Sequence, residues 1–377
     1  MSEPTGSQRV YLHVGVPKSG TTFLQDALLH RCEALRKAGV LYPGGNERMF
    51  LAALDVRGDH KAWGRTRSQV QGSWDELVRR ARAHQGITVV SHELLAAASA
   101  RQIAAAMTML TGLEVHVVVT ARDPARQAVA EWQEGIKHGR RLTFEEFRRR
   151  VLDGAAETDY ARRFRAAHDL PDVLARWGSA VPMENVHVVT CPGPTAPGEL
   201  LWQRFADVVG FDVLNFEPVG PEPVNASMGI AEINLLRRVN LALDKRIPQP
   251  GYGDVVTRLY APLLRTARRS PRPVVPLEML DDLTVVGERW VKEIDKAGYP
   301  VHGSLGDLVP VTPKGPARHP DDVDPREQVE IAAASTAELL VELHHTRAEV
   351  ARLQTGIQKQ KKRRKRLKRR LARAADR

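Results

Sequence analysis

Cysteine is scarce in this sequence, whose 377 residues include only Cys32 and Cys191. Two isolated cysteines exclude a disulfide framework, and neither lies in a Cys-x-x-Cys or Cys/His cluster that would predict a zinc site. The sequence also lacks an apolar run of the ~18 residues that a membrane span needs, and it does not open on a cationic stretch followed by an apolar one. We therefore expect a cytoplasmic protein without a metal ion.

Most of the chain has no excess of either positive or negative charge. The whole sequence carries a formal net charge of +11. Residues 359–377 contain twelve Lys or Arg and one acidic residue, whereas the other 358 residues hold 44 basic and 44 acidic groups. An anionic partner is therefore expected at the C-terminal segment alone.

Short β-branched runs alternate with longer helical patterns in the first part of the sequence. Nearly continuous apolar strands separated by helices are typical of a parallel sheet that is covered on both faces. In such folds ligands bind beyond the carboxyl ends of the strands. The sequence therefore predicts an α/β protein with a parallel β-sheet flanked by helices. The predicted strands are residues 9–15, 87–91, 114–120 and 185–190.

A proline-rich stretch divides the sequence near residue 306. Residues 306–328 contain five prolines among Gly and Asp, a composition that is typical of a linker. The sequence therefore predicts an α/β domain over residues 1–305, a linker over residues 306–330 and a helical tail over residues 331–377.

The predicted tail has seam positions that alternate at spacings of three and four from Thr336 onward, the heptad pattern of a coiled coil. Residues 336–357 are therefore a candidate for self-association. The basic residues 359–377 would attract an anionic surface, whether polysaccharide, membrane phospholipid or nucleic acid, or would form a solvated helix end. We favour a coiled coil whose basic extension contacts an anionic partner, which includes association with a membrane surface.

The segment GVPKSGTT, residues 15–22, follows the first predicted strand and leads into a helix. Gly15 and Gly20 have the spacing of a phosphate-binding loop, but the lysine is Lys18, inside the loop, and Thr21 stands where the usual lysine would be. A glycine-rich turn that enters a helix directs unpaired N–H groups and the positive end of the helix dipole at one point. The segment therefore predicts an anion-binding loop.

Side chains of the same loop strengthen that prediction. Lys18 adds a full positive charge, and Ser19, Thr21 and Thr22 add hydroxyl donors. The alternative is an ordinary strand-to-helix turn with a Pro-Lys bend at the surface.

The residues PKSGTT resemble the 5′-phosphosulfate-binding loop of the sulfotransferases, whose donor is 3′-phosphoadenosine 5′-phosphosulfate (PAPS). That family is similar in fold to the P-loop nucleotide kinases, and it needs no metal. The resemblance extends over residues 8 to about 305 and implies that the loop holds the 5′ end of the donor. The implied donor-binding residues are Pro17, Lys18, Ser19, Gly20, Thr21 and Thr22.

A second segment, VVVTARDPARQAVAEW, resembles the family's 3′-phosphate motif, an arginine after a central strand and a serine eight residues later. Arg122 matches the arginine, with Asp123 and Pro124 in the family's usual places. The position of the serine holds Ala130, so one expected hydroxyl donor is missing. The alternative for Arg122 is a surface salt bridge with Asp123 or Glu131.

Sulfuryl transfer needs a base for the acceptor proton and a cation for the charge that develops on the leaving phosphate oxygen. Lys18 is the candidate cation. His92 and Glu93 directly follow the predicted strand 87–91, at the same edge of the sheet as the loop. Members of the resembled family use Glu or His, so Glu93 is the first candidate for the base and His92 the second. In a purely structural alternative, Ser91 caps a helix and Glu93 favours its dipole.

The resemblance implies a transferase that moves a sulfuryl group from PAPS to a hydroxyl or amine acceptor. A carbohydrate, a lipid or a small metabolite would all fit as the acceptor. One alternative is a P-loop kinase-like phosphotransferase, which needs an acidic Mg²⁺ ligand after a strand; the segment VVVTARD offers only Asp123, beyond an arginine. Another is a catalytically inactive scaffold that binds polyanions, which the alanine at position 130 favours.

Overall fold

A six-stranded parallel sheet organises the chain in this computed structural model, which describes residues 8–213, 227–267, 270–313 and 318–375. The strands are β1 (Arg9–Gly15), β2 (Val40–Leu41), β3 (Ile87–Ser91), β4 (Glu114–Ala121), β5 (Val186–Thr190) and β6 (Val301–His302). They lie in the order β2-β3-β1-β4-β5-β6, and every neighbouring pair is parallel. The prediction of an α/β protein with a parallel sheet flanked by helices is confirmed.

The central strands are buried on both faces because helices cover both sides of the sheet. Every residue of β3 is buried, and in β4 all but Glu114 are buried. Such strands need apolar side chains in both directions, which explains their continuous valine runs. The two edge strands β2 and β6 contain only two residues each, too few to show a period in the sequence.

The helices among the described residues range from single turns to a long C-terminal rod. They are α1 (Thr21–His30), α2 (Cys32–Lys37), α3 (Gly45–Arg57), α4 (Arg67–Val70), α5 (Ser73–Ala83), α6 (Ala100–Thr108), α7 (Pro124–Lys137), α8 (Phe144–Phe147), α9 (Asp159–His168), α10 (Leu170–Gly178), α11 (Leu200–Val209), α12 (Ile230–Leu243), α13 (Ala261–Ala267), α14 (Leu277–Ala297) and α15 (Pro325–Ala375). Short 3-10 turns occupy His60–Trp63, Glu93–Ala97, Met183–Asn185 and Leu305–Leu308, and π-helical turns occupy Arg148–Leu152 and Gly253–Tyr260. Of the described helices, none has an apolar stretch long enough to cross a bilayer.

A second apolar core lies beside the sheet, where α7, α8, α12 and α13 meet. Trp132 of α7 is buried there, and its indole N–H donates to the carbonyl of Leu142 at 3.0 Å. The first turns of α15 contribute Ile331, which is fully buried in the same core. This core holds α7 in place, and α7 in turn supplies residues to the functional site.

The segment predicted as a linker contains contacts with the folded body. Leu308 is fully buried, and the carboxylate of Asp321 accepts hydrogen bonds from the backbone N–H groups of Phe144 and Glu145, at 2.8 and 2.9 Å. Helix α15 begins at Pro325, five residues before the end of that segment. The helical tail begins earlier than expected, whereas the domain boundaries stay predictions.

A row of histidines crosses the sheet near the amino ends of β4 and β5. His116 Nδ1 lies 3.0 Å from His187 Nε2, and His187 Nδ1 lies 3.3 Å from His302 Nε2. The ring of Tyr11 stacks on His116 with 4.6 Å between the centroids. Burial, together with the two neighbouring imidazoles, lowers the pKa of His187 to about 4. Burial also lowers the pKa of His302, so His187 and His302 are uncharged at neutral pH. Each shared hydrogen bond needs one ring nitrogen without a proton.

Candidate active site

Three strand ends meet at one edge of the sheet, because β3, β1 and β4 are neighbours that run in the same direction. The loop after β1 contains Lys18, the turn after β3 contains Glu93, and Arg122 follows β4. Arg122 Nη1 donates to the carbonyl of Lys18 at 3.2 Å, and the charges of Lys18 and Glu93 interact. The structure therefore brings together the three groups that the sequence placed at this edge.

The loop after β1 has an unusual backbone. Gly15, Lys18 and Gly20 have φ angles of 111°, 64° and 88°. A positive φ is uncommon for a residue with a side chain, and such strained conformations concentrate at functional sites. Gly20 has a second constraint, since a Cβ atom there would lie 2.3 Å from Leu201 Cδ2. The loop therefore requires glycine at its end, and it holds Lys18 in a conformation that few lysines adopt.

The hydroxyls of the loop have different environments. Ser19 is fully buried, and its hydroxyl bonds to the carbonyl of Val16 and the hydroxyl of Thr120. Thr21 is also buried, whereas Thr22 is exposed in the first turn of α1. In this structure the Ser19 hydroxyl thus fixes the shape of the loop from inside.

Helix α1 begins with an open N-terminus. Its N-cap is Gly20, which has no side chain, and among the described residues none caps the helix with a side-chain hydrogen bond. The first turn also contains no acidic residue. Unpaired N–H groups and the positive end of the dipole therefore remain available for an anion beside Lys18.

Lys18 forms an ion pair with Glu134, a residue of α7 that the sequence analysis did not select. Lys18 Nζ lies 2.9 Å from Glu134 Oε2, and each side chain is about one quarter exposed (24% and 28%). Burial alone would lower the pKa of Lys18 and raise that of Glu134, but their mutual attraction outweighs it. The pKa of Lys18 is raised and that of Glu134 lies well below its ordinary value, so both groups are charged at neutral pH.

Arg122 is free of the carboxylates that the sequence suggested as partners. Within the described residues, Asp123 pairs with Arg126 and also accepts a hydrogen bond from its backbone N–H, and Glu131 contacts His168 at 3.5 Å. Burial, with a smaller contribution from Arg126, lowers the pKa of Arg122 and outweighs the opposite effects of Cys191 and Asp123. Its contact with the Lys18 carbonyl makes it part of the loop.

Position 130, where the family motif has serine, is a half-buried alanine on α7. One turn earlier on the same helix, the side-chain amide of Gln127 donates to the carbonyl of Pro17 at 3.2 Å. Helix α7 therefore contacts the loop through an amide and, at Glu134, through a carboxylate.

The two candidate bases differ in their contacts. Glu93 Oε2 accepts a hydrogen bond from Gln25 Nε2 at 3.2 Å. Burial tends to raise the pKa of Glu93, but His92, the local backbone, Lys18 and Gln25 together lower it below its ordinary value. Glu93 is therefore ionised at neutral pH, the state that a base needs.

His92 has a structural role as well. Its Nδ1 accepts a hydrogen bond from the backbone N–H of Leu94 at 3.2 Å, so His92 caps the 3-10 turn Glu93–Ala97. In the structural alternative, Ser91 was expected to be the cap, but Ser91 instead bonds to His13. Burial lowers the pKa of His92, so the ring is neutral at pH 7.

His13 links the candidate site to the sheet, and sequence reasoning missed it. It is fully buried on β1, with Nδ1 2.8 Å from Ser91 Oγ and Nε2 3.0 Å from Thr120 Oγ1. Burial lowers its pKa to about 4, so it is neutral. Because Thr120 also bonds to Ser19, one buried network joins the loop, β3 and β4.

Aromatic rings extend from His92 to the far side of the site. Phe50 on α3 lies 5.6 Å from His92 and 5.4 Å from Trp63, and Trp63 lies 5.8 Å from His138, measured between ring centroids. His138 Nε2 in turn lies 3.0 Å from Glu134 Oε1. These contacts link His92 with Glu134, the ion-pair partner of Lys18. No local pattern predicts them, because Phe50 and Trp63 lie far from both motifs along the chain.

Comparisons with known proteins returned no match: no family model fits the sequence, and no curated protein or solved structure is significantly similar to the chain. Among the described residues, no group of three or more His, Cys, Asp or Glu side chains is arranged to hold a metal ion. Any functional assignment therefore rests on the chemistry of this edge of the sheet.

Proposed function

We propose that this chain is a sulfotransferase that moves a sulfuryl group from PAPS to a hydroxyl or amine acceptor. The observation that carries the proposal is Lys18, which has a φ of 64° beside the open N-terminus of α1 and whose carbonyl binds Arg122. The donor has two anionic ends, a sulfated 5′-phosphate and a 3′-phosphate. Lys18 with the N–H groups of the loop suits the first end, and Arg122 suits the second.

The proposed reaction is an in-line transfer. The bond from sulfur to the 5′-phosphate oxygen breaks while a bond from sulfur to the acceptor atom forms, and the products are the sulfated acceptor and 3′-phosphoadenosine 5′-phosphate. Lys18 stabilises the charge that develops on the leaving phosphate oxygen. Glu93 takes the acceptor proton, with His92 as the second candidate. The ionised state of Glu93 supports this assignment.

The acceptor would bind on the side of Phe50 and Trp63. Both rings are half-buried, and they lead directly to His92, next to the candidate base. A carbohydrate, a lipid or a small metabolite remains the proposed acceptor class. We also propose that the domain has the P-loop nucleotide-kinase-like variant of the α/β fold and acts in the cytoplasm.

Specific observations bear on two other candidate functions. A P-loop kinase-like phosphotransferase would need an acidic Mg²⁺ ligand, but Asp123 is already engaged by Arg126 and the first turn of α7. A catalytically inactive scaffold is favoured by Ala130, which offers no hydroxyl to a 3′-phosphate. The structure of α7 therefore weakens the phosphotransferase alternative. A ligand-binding experiment distinguishes the inactive scaffold from the sulfotransferase.

The test is a comparison of ligands by calorimetry on the full chain. We expect 3′-phosphoadenosine 5′-phosphate to bind without Mg²⁺ and more tightly than ATP. Lys18→Ala and Arg122→Ala should each weaken that binding by about tenfold or more, since a hydrogen bond to a charged group contributes ~1.5–3 kcal/mol. The matched control is Lys292→Ala, which removes the same charge from an exposed position on α14.

Three outcomes separate the candidates. Metal-independent binding that is lost in both site variants supports the sulfotransferase. Tighter binding of ATP that requires Mg²⁺ would favour the phosphotransferase. Absence of binding by either nucleotide, in a chain whose circular dichroism shows the folded protein, would favour the scaffold.

A further inference from the structure

The C-terminal helix exposes an apolar face beyond the point where it leaves the body. Ile331 and Ser335 are fully buried, whereas every residue from 340 to 366 is exposed. Leu343, Leu353 and Ile357 are 49%, 54% and 51% exposed. At ~1.5 Å per residue, residues 336–366 form a rod of about 45 Å. An amphipathic helix of this length is stabilised chiefly by packing its apolar face on a partner.

The apolar seam of this helix is symmetrically spaced. From Leu339 to Ile357 its positions are separated by four, three, four, three and four residues, so the pattern is symmetric about Ala348. Inversion about that residue places Leu339 opposite Ile357, Leu343 opposite Leu353 and Thr346 opposite Val350. Two antiparallel copies would therefore align six consecutive layers, four of them apolar on both sides. The spacing alone also permits a parallel pair in register.

Charge distinguishes the two orientations. Residues 359–366 contain seven Lys or Arg, and all of their side chains are exposed. A parallel pair would place the two basic segments side by side and Arg364 against its own copy within the seam. Like charges at such distances repel, and burying Arg364 in a layer would add a desolvation cost. The basic segment therefore opposes the parallel arrangement.

In the antiparallel arrangement each basic segment would lie against a segment without basic residues. Inversion about Ala348 places residues 359–366 opposite residues 330–337 of the second copy, which contain no Lys or Arg and begin with Glu330. The adjoining residues 321–330 contain five acidic residues and one basic residue. Nearest the centre, Arg347 and Glu349 flank Ala348, so each copy contributes one basic and one acidic residue there. Each Glu349 also pairs with Arg352 of its own helix at 2.7 Å. The contact between the basic and acidic ends therefore favours the antiparallel orientation.

We propose that α15 is a self-association surface that binds a second copy of this chain in antiparallel orientation through the seam between Leu339 and Ile357. The basic segment 359–366 of each copy lies against residues 330–337 of the other, next to the acidic segment 321–330. This interface is independent of the sulfotransferase proposal, because none of its residues belongs to the edge of the sheet that carries Lys18.

The orientation is tested by crosslinking cysteine variants with a short bis-maleimide. The background is Cys32→Ser, which leaves only the buried Cys191. We expect Leu343→Cys and Leu353→Cys to crosslink when the two variants are mixed, and neither to crosslink alone. The matched control is Val341→Cys mixed with Leu353→Cys, since Val341 is exposed on the face away from the seam and should not react with its partner.

Sedimentation of the unmodified, nuclease-treated chain gives a second readout. An antiparallel dimer held by opposite charges should dissociate more readily as salt rises, because screening weakens the contact between the basic and acidic segments. Crosslinking of Leu343→Cys to itself, together with a dimer that tightens with salt, would show a parallel pair and overturn the orientation. A monomer at all salt concentrations that binds heparin through its tail would overturn self-association in favour of a polyanion partner.

Discussion

The ammonium group of Lys18 lies 2.9 Å from the carboxylate of Glu134, so the candidate catalytic cation is already paired with an anion of α7. Any anion that binds the loop must compete with Glu134 for this lysine. The pair also explains how a cation can be held at a half-buried position, where an unpaired charge would be costly. Glu134 therefore weakens the attraction of Lys18 for an anionic ligand.

Removal of Lys18 should abolish most of the proposed sulfuryl transfer while leaving the fold intact. A cation that meets charge developing in the transition state contributes ~3–4 kcal/mol, so we expect Lys18→Ala to lower kcat by about 100-fold or more. The measurement is turnover with supplied PAPS, with Lys292→Ala as the control of equal charge. Turnover within threefold of the unmodified chain would remove Lys18 from the mechanism.

Neutralising Glu134 should have the opposite effect on donor binding. Glu134→Gln removes the carboxylate that competes for Lys18, and a partly exposed ion pair contributes about 1 kcal/mol or less. We expect 3′-phosphoadenosine 5′-phosphate to bind more tightly, by up to about fivefold. Calorimetry measures this change. The control is Glu145→Gln on α8, which breaks an ion pair with Arg148. Weaker binding in Glu134→Gln would show that this carboxylate supports the ligand rather than competes with it.

The two candidate bases are ranked by substitution and by pH. Glu93→Gln keeps the shape of the side chain and removes its basicity, so we expect it to lower kcat more than His92→Gln does. A base must be unprotonated, and the pKa of Glu93 lies below its ordinary value of 4.5. The rate should therefore hold from about pH 8 to pH 5 and fall only in stronger acid. A loss that is tenfold larger in His92→Gln, with a rate that already declines between about pH 6.5 and pH 5, would assign the base to His92.

The histidine row predicts that acid destabilises the protein. The pKa of His187 is lowered from 6.5 to about 4, so its contribution to stability is complete above about pH 6.5 and is lost as the pH falls towards 4. The free energy of unfolding, from urea titrations between about pH 7.5 and pH 5, should decline less steeply in His187→Gln than in the unmodified chain. His345→Gln, at an exposed position on α15, is the control. An unchanged slope in His187→Gln would place the acid sensitivity elsewhere.

The sheet and its three functional strand ends were accessible from the sequence because their signals are local. Short β-branched runs, nearly continuous in apolar residues, predicted β1, β3, β4 and β5 to within one residue at either end. A glycine-rich loop and an arginine after a strand have a recognisable order of residues, so Lys18 and Arg122 were found in this way. Parallel strands then bring such groups together without further information.

The remaining residues of the site depend on tertiary contacts that no local pattern records. Glu134 lies on α7 more than a hundred residues from Lys18, and in the sequence it is one acidic residue among several on a helix. His13 is part of the first predicted strand, where a histidine in an apolar run carries no sign of its partners on β3 and β4. The edge strands β2 and β6 form only because a neighbouring strand is present to pair with them.

The buried network around His13 makes the floor of the site stiff. Each of its hydrogen bonds, if broken, would leave an unsatisfied polar group at a cost of ~1–3 kcal/mol, so the loop and the turn that bears Glu93 keep a constant separation. Adaptation to proposed acceptors of different size would therefore require changes in α3 and in the turn His60–Trp63. These two elements carry Phe50 and Trp63. Evolution or engineering of a new acceptor range would proceed by changing those two elements, while the chemistry at the sheet edge stays untouched.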